Sequence, residues 1–266
     1  MAIRNQGTAL ITGASTGIGA VYADRLARRG FDLILVARNR DRLDALAHKL
    51  TTETGRSVEV VAADLGSKEG IARVETVLRT DASITLLVNN AGIGAAAPLL
   101  SADIDAMEKL IALNVTALTR LTYAVAPGFV ARGGGTIVNI ASIVAIGPEI
   151  LNGVYGGSKA FVLALTQSLH HELAASGVRV QAVLPGATAT EFWDNAGLPV
   201  EQLPDGIVMT ATDMVDAALA GLDMGELVTI PPLPDAADWN VYEAARQAML
   251  PNLSHARPAS RYRVSA

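Results

Sequence analysis

Seven short runs rich in Leu, Val, Ile and Ala, each followed by a longer stretch of helical spacing, constrain this chain more than any other feature. Thr8–Thr12, Asp32–Ala37, Val58–Ala62, Thr85–Asn89, Thr136–Ile140, Val178–Leu184 and Leu227–Ile230 read as strands. Between them Gly17–Arg28, Arg42–Glu53, Lys68–Thr80, Ile104–Val130, Val154–Ala175 and Thr212–Leu222 repeat apolar residues at helical intervals. Asp41, Ser67, Asp103 and Asp213 stand where helix caps are expected. Near-continuous apolar strands alternating with helices predict a parallel sheet covered on both faces, an α/β doubly wound domain. No linker or repeat breaks the alternation in 266 residues, so one domain is expected over 1–266, with a core at 8–230 and a C-terminal extension at 231–266. In the extension, Asp235 is placed to cap a last helix bearing Trp239, Tyr242 and Met249 on one face, a stripe that suits packing against the domain or a sister subunit, or a substrate contact.

Composition removes several functions. Half the residues are hydrophobic and the net charge is −5, with arginines scattered, which gives no footprint for nucleic acid. There is no Cys, which excludes disulfides and thiolate metal sites and fits a reducing cytoplasm; the four His have no partner at ligand spacing, so no metal is expected. The apolar stretch Leu86–Leu100 is broken by Asn89, Asn90, Gly92, Gly94 and Pro98, and the polar start is no signal segment, so no membrane association is expected.

The first strand runs into Thr12-Gly-Ala-Ser-Thr-Gly-Ile-Gly19, in which Gly13, Gly17 and Gly19 allow a tight turn and close approach of a pyrophosphate to the following helix. The spacing differs from G-x-G-x-x-G. The same residues contain Gly13-Ala-Ser15-Thr-Gly17, the nucleophile-elbow pattern of α/β-hydrolases, which makes Ser15 a rival nucleophile. A hydrolase would need a His in a loop able to reach it, whereas His170 and His171 fall inside a helix. Further on, Tyr155 and Lys159 lie one helical turn apart, a phenol beside an ammonium that would favour its ionised form.

Together, Thr12-Gly-Ala-Ser-Thr-Gly-Ile-Gly19, Asn89-Asn-Ala-Gly92, Asn114, Ser142, Tyr155-Gly-Gly-Ser-Lys159 and Pro185-Gly-Ala-Thr-Ala-Thr190 resemble the short-chain dehydrogenase/reductase family, in its order and over about residues 8 to 190. The resemblance implies a Rossmann fold, a nicotinamide cofactor and a tetrad of Asn114, Ser142, Tyr155 and Lys159. Ser142 would hold a substrate oxygen, Tyr155 would exchange a proton with it, and Lys159 would lower the phenol's pKa and bond the ribose. Asn114 would organise a water leading to Lys159, or is simply a satisfied helix amide. The resemblance also implies cofactor contacts at Gly13, Ser15, Thr16, Gly17, Ile18 and Gly19. Asp64 and Leu65 would meet the adenine, unless Asp64 caps the next helix. Asn90, Ala91 and Gly92 would pass the ribose, with Asn89 tying strands together. Pro185, Gly186, Thr188 and Thr190 would hold the carboxamide, or form only a Pro-Gly turn with two solvated hydroxyls.

Arg38 ends the second strand where an NAD enzyme usually carries an acid, and with Arg40 and Arg42 it suits a 2′-phosphate, so NADP(H) is expected over NAD(H). The alternative is a solvated cluster at a helix start. The substrate pocket is expected from Gly94–Ala97, Ile143–Ile146, Leu151, Asn152, Gly186 and a lid at Ala187–Thr210 that includes Phe192 and Trp193. These residues suit a small-molecule ketone or secondary alcohol of modest polarity. By resemblance the helices Ile104–Val130 and Val154–Ala175 would pair copies into a homodimer or homotetramer. The other class of function is a protein that senses NADP without turnover.

Overall fold

The computed structural model describes residues 6–204 and 206–263; the expected polar start, Asp205 of the lid and the last three residues lie outside the described residues. Two compact units are present, 1–231 and 232–266. In the first, β1 (Thr8–Thr12), β2 (Asp32–Ala37), β3 (Val58–Ala62), β4 (Ile84–Asn89), β5 (Gly135–Ile140), β6 (Val178–Val183) and a final strand at Val228–Thr229 form one sheet. Its order is β3, β2, β1, β4, β5, β6 and the final strand, and each adjacent pair is parallel. This is the expected seven-stranded Rossmann sheet, with the last strand two residues shorter than its apolar run.

Alternation along each strand divides the core into two layers. Ala9, Ile11, Leu33, Leu35, Leu86, Val88, Val138 and Ile140 face α1 (Gly17–Arg28), α2 (Arg40–Thr54) and the late helix Ala211–Met224. Leu10, Ile34, Val36, Leu87 and Ile137 face α3 (Lys68–Thr80), the helix through 118–131 and α6 (Gly153–Leu173). A strand order that runs one way from β1 to β3 and the other way from β4 to β6 opens a crevice at the carboxyl ends of β1 and β4, the switch point where α/β sheets place ligands.

The long helix expected at Ile104–Val130 is not uniform. It runs as α4 (Ile104–Ile111), one π-helical turn at Ala112–Ala117 and α5 (Leu118–Ala131), with Pro127 inside α5. By length and composition this 28-residue segment could cross a membrane, unlike Leu86–Leu100, yet Ala117, Leu121, Val125 and Phe129 are buried in the core against the sheet.

Two expected caps are corrected. The side chain of Asn39, not Asp41, accepts from Arg42 N and begins α2. Thr210, not Asp213, caps the helix at Ala211–Met224; Asp213 accepts from the Thr210 hydroxyl at 2.7 Å, completing a reciprocal cap. Ser67 and Asp103 cap α3 and α4 as expected.

The lid contains a two-residue parallel pair, β7 (Thr188–Ala189) with β8 (Met209–Thr210), and between them a short helix α7 (Phe192–Asn195). The C-terminal unit carries one helix, Ala236–Met249, capped by Asp235. Trp239 and Tyr242 stack there at 5.3 Å, and none of its residues is buried.

Candidate active site

The glycine turn leaves β1 into the crevice. Gly13 has φ of +66°, and a side chain at Gly19 would collide with the carbonyl of Gly13, so both positions accept glycine alone. Thr16, at the N-cap of α1, makes no side-chain cap, and the first turn holds no acid. By contrast α2, α3, α4, α6 and the helices starting at Ala211 and Ala236 all have a capping side chain. The open donors of Gly17, Ile18 and Gly19 are therefore available to an anion.

The turn is braced from β4. Thr12 Oγ1 accepts from Asn90 N at 2.9 Å and Ala91 N at 3.0 Å, and Asn90 Nδ2 donates to the carbonyls of Thr12 and Gly13. Asn90 thus presents only backbone to the crevice. Asn89 donates to Thr122 and Asn139, tying strand β4 to β5 and α5. Leu65 is buried in the core, and Asp64 accepts from Gly66 N, so Ser67 rather than Asp64 caps α3.

At the rim, Arg40 lies 3.8 Å from Asp44 and Arg42 pairs with Glu191 at 2.8 Å. Arg38, exposed at the end of β2, has no hydrogen bond or ion pair among the described residues. The Arg42 to Glu191 pair links the start of α2 to the residue before α7.

The acid–base groups converge at the carboxyl end of β5. Ser142 follows that strand; its hydroxyl donates to Pro185 O at 3.5 Å and accepts from Val144 N at 3.4 Å, and it lies close enough to Tyr155 to pull the phenol down. Tyr155 is buried, and burial pushes its phenol up to about 12 against the smaller downward pull of Ser142. Lys159, wholly enclosed, donates from Nζ to Ile140 O at 2.9 Å, and burial pushes its amine down to about 8. Its Nζ lies 5.8 Å from the centre of the Tyr155 ring. Burial outweighs the pull of Ser142, and the expected lowering of the phenol by Lys159 is not among the causes acting on it here.

Asn114 sits on the π turn, whose extra residue breaks the regular helical register at this point. Oδ1 accepts from Ile93 N at 3.0 Å, while Nδ2 donates to Ile93 O at 2.9 Å and Ser158 Oγ at 3.2 Å. A side chain at Gly92 would lie 3.1 Å from Asn114 Oδ1 and 3.5 Å from Lys159 Nζ, so the amide and the ammonium border the same glycine.

Asn152, expected as pocket lining, has another position. Its Oδ1 accepts from Val154 N and Tyr155 N at the start of α6, and its Nδ2 donates to Ala97 O at 2.6 Å. It positions Tyr155. The signal in the sequence is an Asn immediately ahead of the helix start, a favoured cap residue. Trp193, also expected in the pocket, is buried with its indole N–H on Thr188 O. Thr188 donates to Gly186 O, Thr190 Oγ1 accepts from Phe192 N, and the Thr190 methyl lies against Gly17.

Ser15 hydrogen-bonds to no histidine, and His170 and His171 are exposed on the far part of α6, so no hydrolase triad forms. A cavity of about 490 Å³ lies at the opposite, amino edge of the strands, lined by Thr85, Thr136 and Arg179; Arg29 beside it is paired with Asp223.

This sheet, crevice and glycine turn define a Rossmann-fold protein. The chain belongs to the short-chain dehydrogenase family, whose model matches residues 7–199. A short-chain dehydrogenase from Sphingobium yanoikuyae, solved in complex with NADPH, is 53% identical with a TM-score of 0.93, over 96% of this chain and 99% of that one. The bulky-bulky ketone specific alcohol dehydrogenase from Comamonas testosteroni is 47% identical with a TM-score of 0.90, over 97% and 99%. The very-long-chain 3-oxoacyl-CoA reductase of Anas platyrhynchos is 36% identical over 69% of this chain; the chain spans 60% of that protein's length.

Proposed function

We propose that this chain is an NADP(H)-dependent enzyme that interconverts a fairly apolar, bulky ketone with its secondary alcohol. The observation that carries the reading is the convergence of buried Ser142, Tyr155 and Lys159 at the carboxyl end of β5, where Lys159 is held by Ile140 O. Two hydroxyls fixed together in a desolvated place hold one substrate oxygen in one orientation. With its phenol pushed up to about 12, Tyr155 keeps its proton through the neutral range and stands as the acid of the reductive direction. Tyr155 gives its proton to the carbonyl oxygen, Ser142 holds that oxygen as charge develops, and the nearby Lys159 ammonium stabilises the phenolate left behind. The reverse transfers serve oxidation.

The residues present fit a phosphorylated dinucleotide. The uncapped start of α1 suits its pyrophosphate, and Arg38, exposed and unpaired among the described residues, suits a 2′-phosphate to which Ser15 would add a hydrogen bond. Asp64 and the backbone of Leu65 would hold the adenine, Asn90 to Gly92 would pass the ribose, and Pro185, Gly186, Thr188 and Thr190 would hold the carboxamide. When bound, the nicotinamide supplies the hydride. NADPH in the Sphingobium relative and the ketone specificity of the Comamonas enzyme support the reading, since both are similar over nearly the whole chain. The reading includes a single functional domain with its C-terminal extension, a cytoplasmic location, and a homodimer or homotetramer paired through α5 and α6, where Tyr123 and Phe161 are exposed.

The test is NADPH absorbance across a panel of ketones, with Tyr155→Phe as control. Turnover by the wild type and a loss of at least about 100-fold in kcat for the variant are expected. A variant as fast as wild type would refute the assigned acid.

A further inference from the structure

Phe192 opens α7, and its ring lies 5.8 Å from the Tyr155 ring, tilted by 48°. It also rests on Gly94, where a methyl group would collide with the ring carbons. The backbone beneath the ring is pinned. Ala96 N donates to Ala196 O at 3.2 Å, and Trp193, 8% exposed, holds Thr188 O at 2.9 Å through its indole N–H. Trp193 meets Phe192 edge-on at 5.5 Å. The segment is thereby anchored, and the half-buried Phe192 ring rests on a glycine surface, two aromatic neighbours and the apolar cluster that includes Val144.

Ser142 and Tyr155 fix the place of a carbonyl oxygen, so the two groups flanking that carbonyl splay to opposite sides. The apolar cluster around Tyr155 provides Val144 and Leu151 as well as Phe192. We infer that Phe192, seated on Gly94, is a specificity-determining residue: an aromatic wall that limits the bulk of one of the two groups on the ketone. The inference rests on the ketone reductase reading. Gly94 is part of the device, because any side chain there lifts the ring from its seat. Trp193 is the anchor that keeps α7 in place while the ring sets the boundary.

The experiment measures kcat/KM for NADPH-driven reduction of acetophenone and benzophenone, which differ by a methyl against a phenyl group. Wild type, Phe192→Leu, Phe192→Ala, Gly94→Ala and the double variant Gly94→Ala/Phe192→Ala are compared, with NADPH binding followed by fluorescence to establish folding. The benzophenone to acetophenone ratio is expected to rise in the order Phe, Leu, Ala, by at least about tenfold for Phe192→Ala. Gly94→Ala is expected to change kcat/KM at least about fivefold in the wild type and less than about twofold in the Phe192→Ala background, since the ring it displaces is then gone. An unmoved ratio with an active wild type overturns the wall and leaves the reductase reading standing, as does a Gly94→Ala effect of equal size in both backgrounds. If Phe192→Ala does not fold, the ratio in Phe192→Leu decides by the same criterion. A wild type that reduces no ketone with NADPH overturns both.

Discussion

Replacing Lys159 by Met is expected to stabilise the protein at neutral pH while abolishing turnover. Lys159 is enclosed, and burial moves its amine from 10.5 to about 8. At pH 7 the folded state must hold an ammonium there, at a cost of about 3 kcal/mol relative to a neutral group. Met has nearly the same length and adapts to the site, but it forfeits the hydrogen bond to Ile140 O, a loss of about 1 kcal/mol. The variant is therefore expected to gain about 2 kcal/mol at pH 7. The folded pKa is depressed for a cationic group, so between about 8 and 10.5 the unfolded chain holds more protons and wild-type stability rises with pH. At pH 9.5 the wild type recovers about 2 kcal/mol and the gap closes. The raised phenol of Tyr155 is common to both proteins and cancels in the comparison. Urea unfolding at pH 7.0 and pH 9.5 measures the difference. A wild type more stable than the variant at pH 7, or a gap that does not change with pH, would refute the buried-ammonium argument.

Arg38→Asp removes the unpaired cation at the end of β2 and presents a carboxylate to the ribose edge. Michaelis constants for NADPH and NADH are expected to shift the preference toward NADH by at least about 100-fold, and an unchanged preference would sink the 2′-phosphate assignment. Asn152→Ala removes the cap of α6 and the bond to Ala97 O, expected to cost about 2 kcal/mol, seen as a fall of about 4–8 °C in melting temperature. Because the same amide places Tyr155, kcat is expected to fall more than KM rises; a lower melting temperature with unaltered kcat would make Asn152 a stability residue alone.

Local pattern carried most of the fold. Near-continuous apolar runs locate the strands because a sheet covered on both faces buries both sides of each strand, and Gly13 and Gly19 follow from sterics. The caps were less legible. Asn39 and Thr210 displaced Asp41 and Asp213 because a cap belongs to the residue at the helix boundary, and that boundary is set by where the preceding strand releases the chain. The π turn left no trace, since the apolar spacing of 104–130 runs through it; only an amide at 114 in an apolar helix hinted at it. Least legible were the charges of Tyr155 and Lys159. The i, i+4 spacing suggests attraction, whereas their titration is governed by burial created by β5, the π turn and the loop after β4, none of which is local to α6.

That loop explains why the site needs so many residues that touch no reacting atom. Thr12 holds the backbone of Asn90 and Ala91, which places the loop against the glycine turn. Three residues on, both polar groups of Ile93 are held by Asn114. Asn114 in turn donates to Ser158, and Ser158 donates to the carbonyl of Tyr155 at 2.8 Å. From the other end, Asn152 ties the start of the same helix to Ala97. The glycine turn, the Gly94 loop and the helix carrying Tyr155 and Lys159 are thus joined by one run of side-chain hydrogen bonds through a single loop. Each link alone is worth about 1 kcal/mol, too little to explain why an amide and a π turn are buried for it. Their combined effect is geometric: in the proposed reaction a carbonyl held between a dinucleotide and the Tyr155 phenol would react only if β1 and α6 keep a fixed separation, and a misplacement of about 1 Å costs roughly 100-fold in rate.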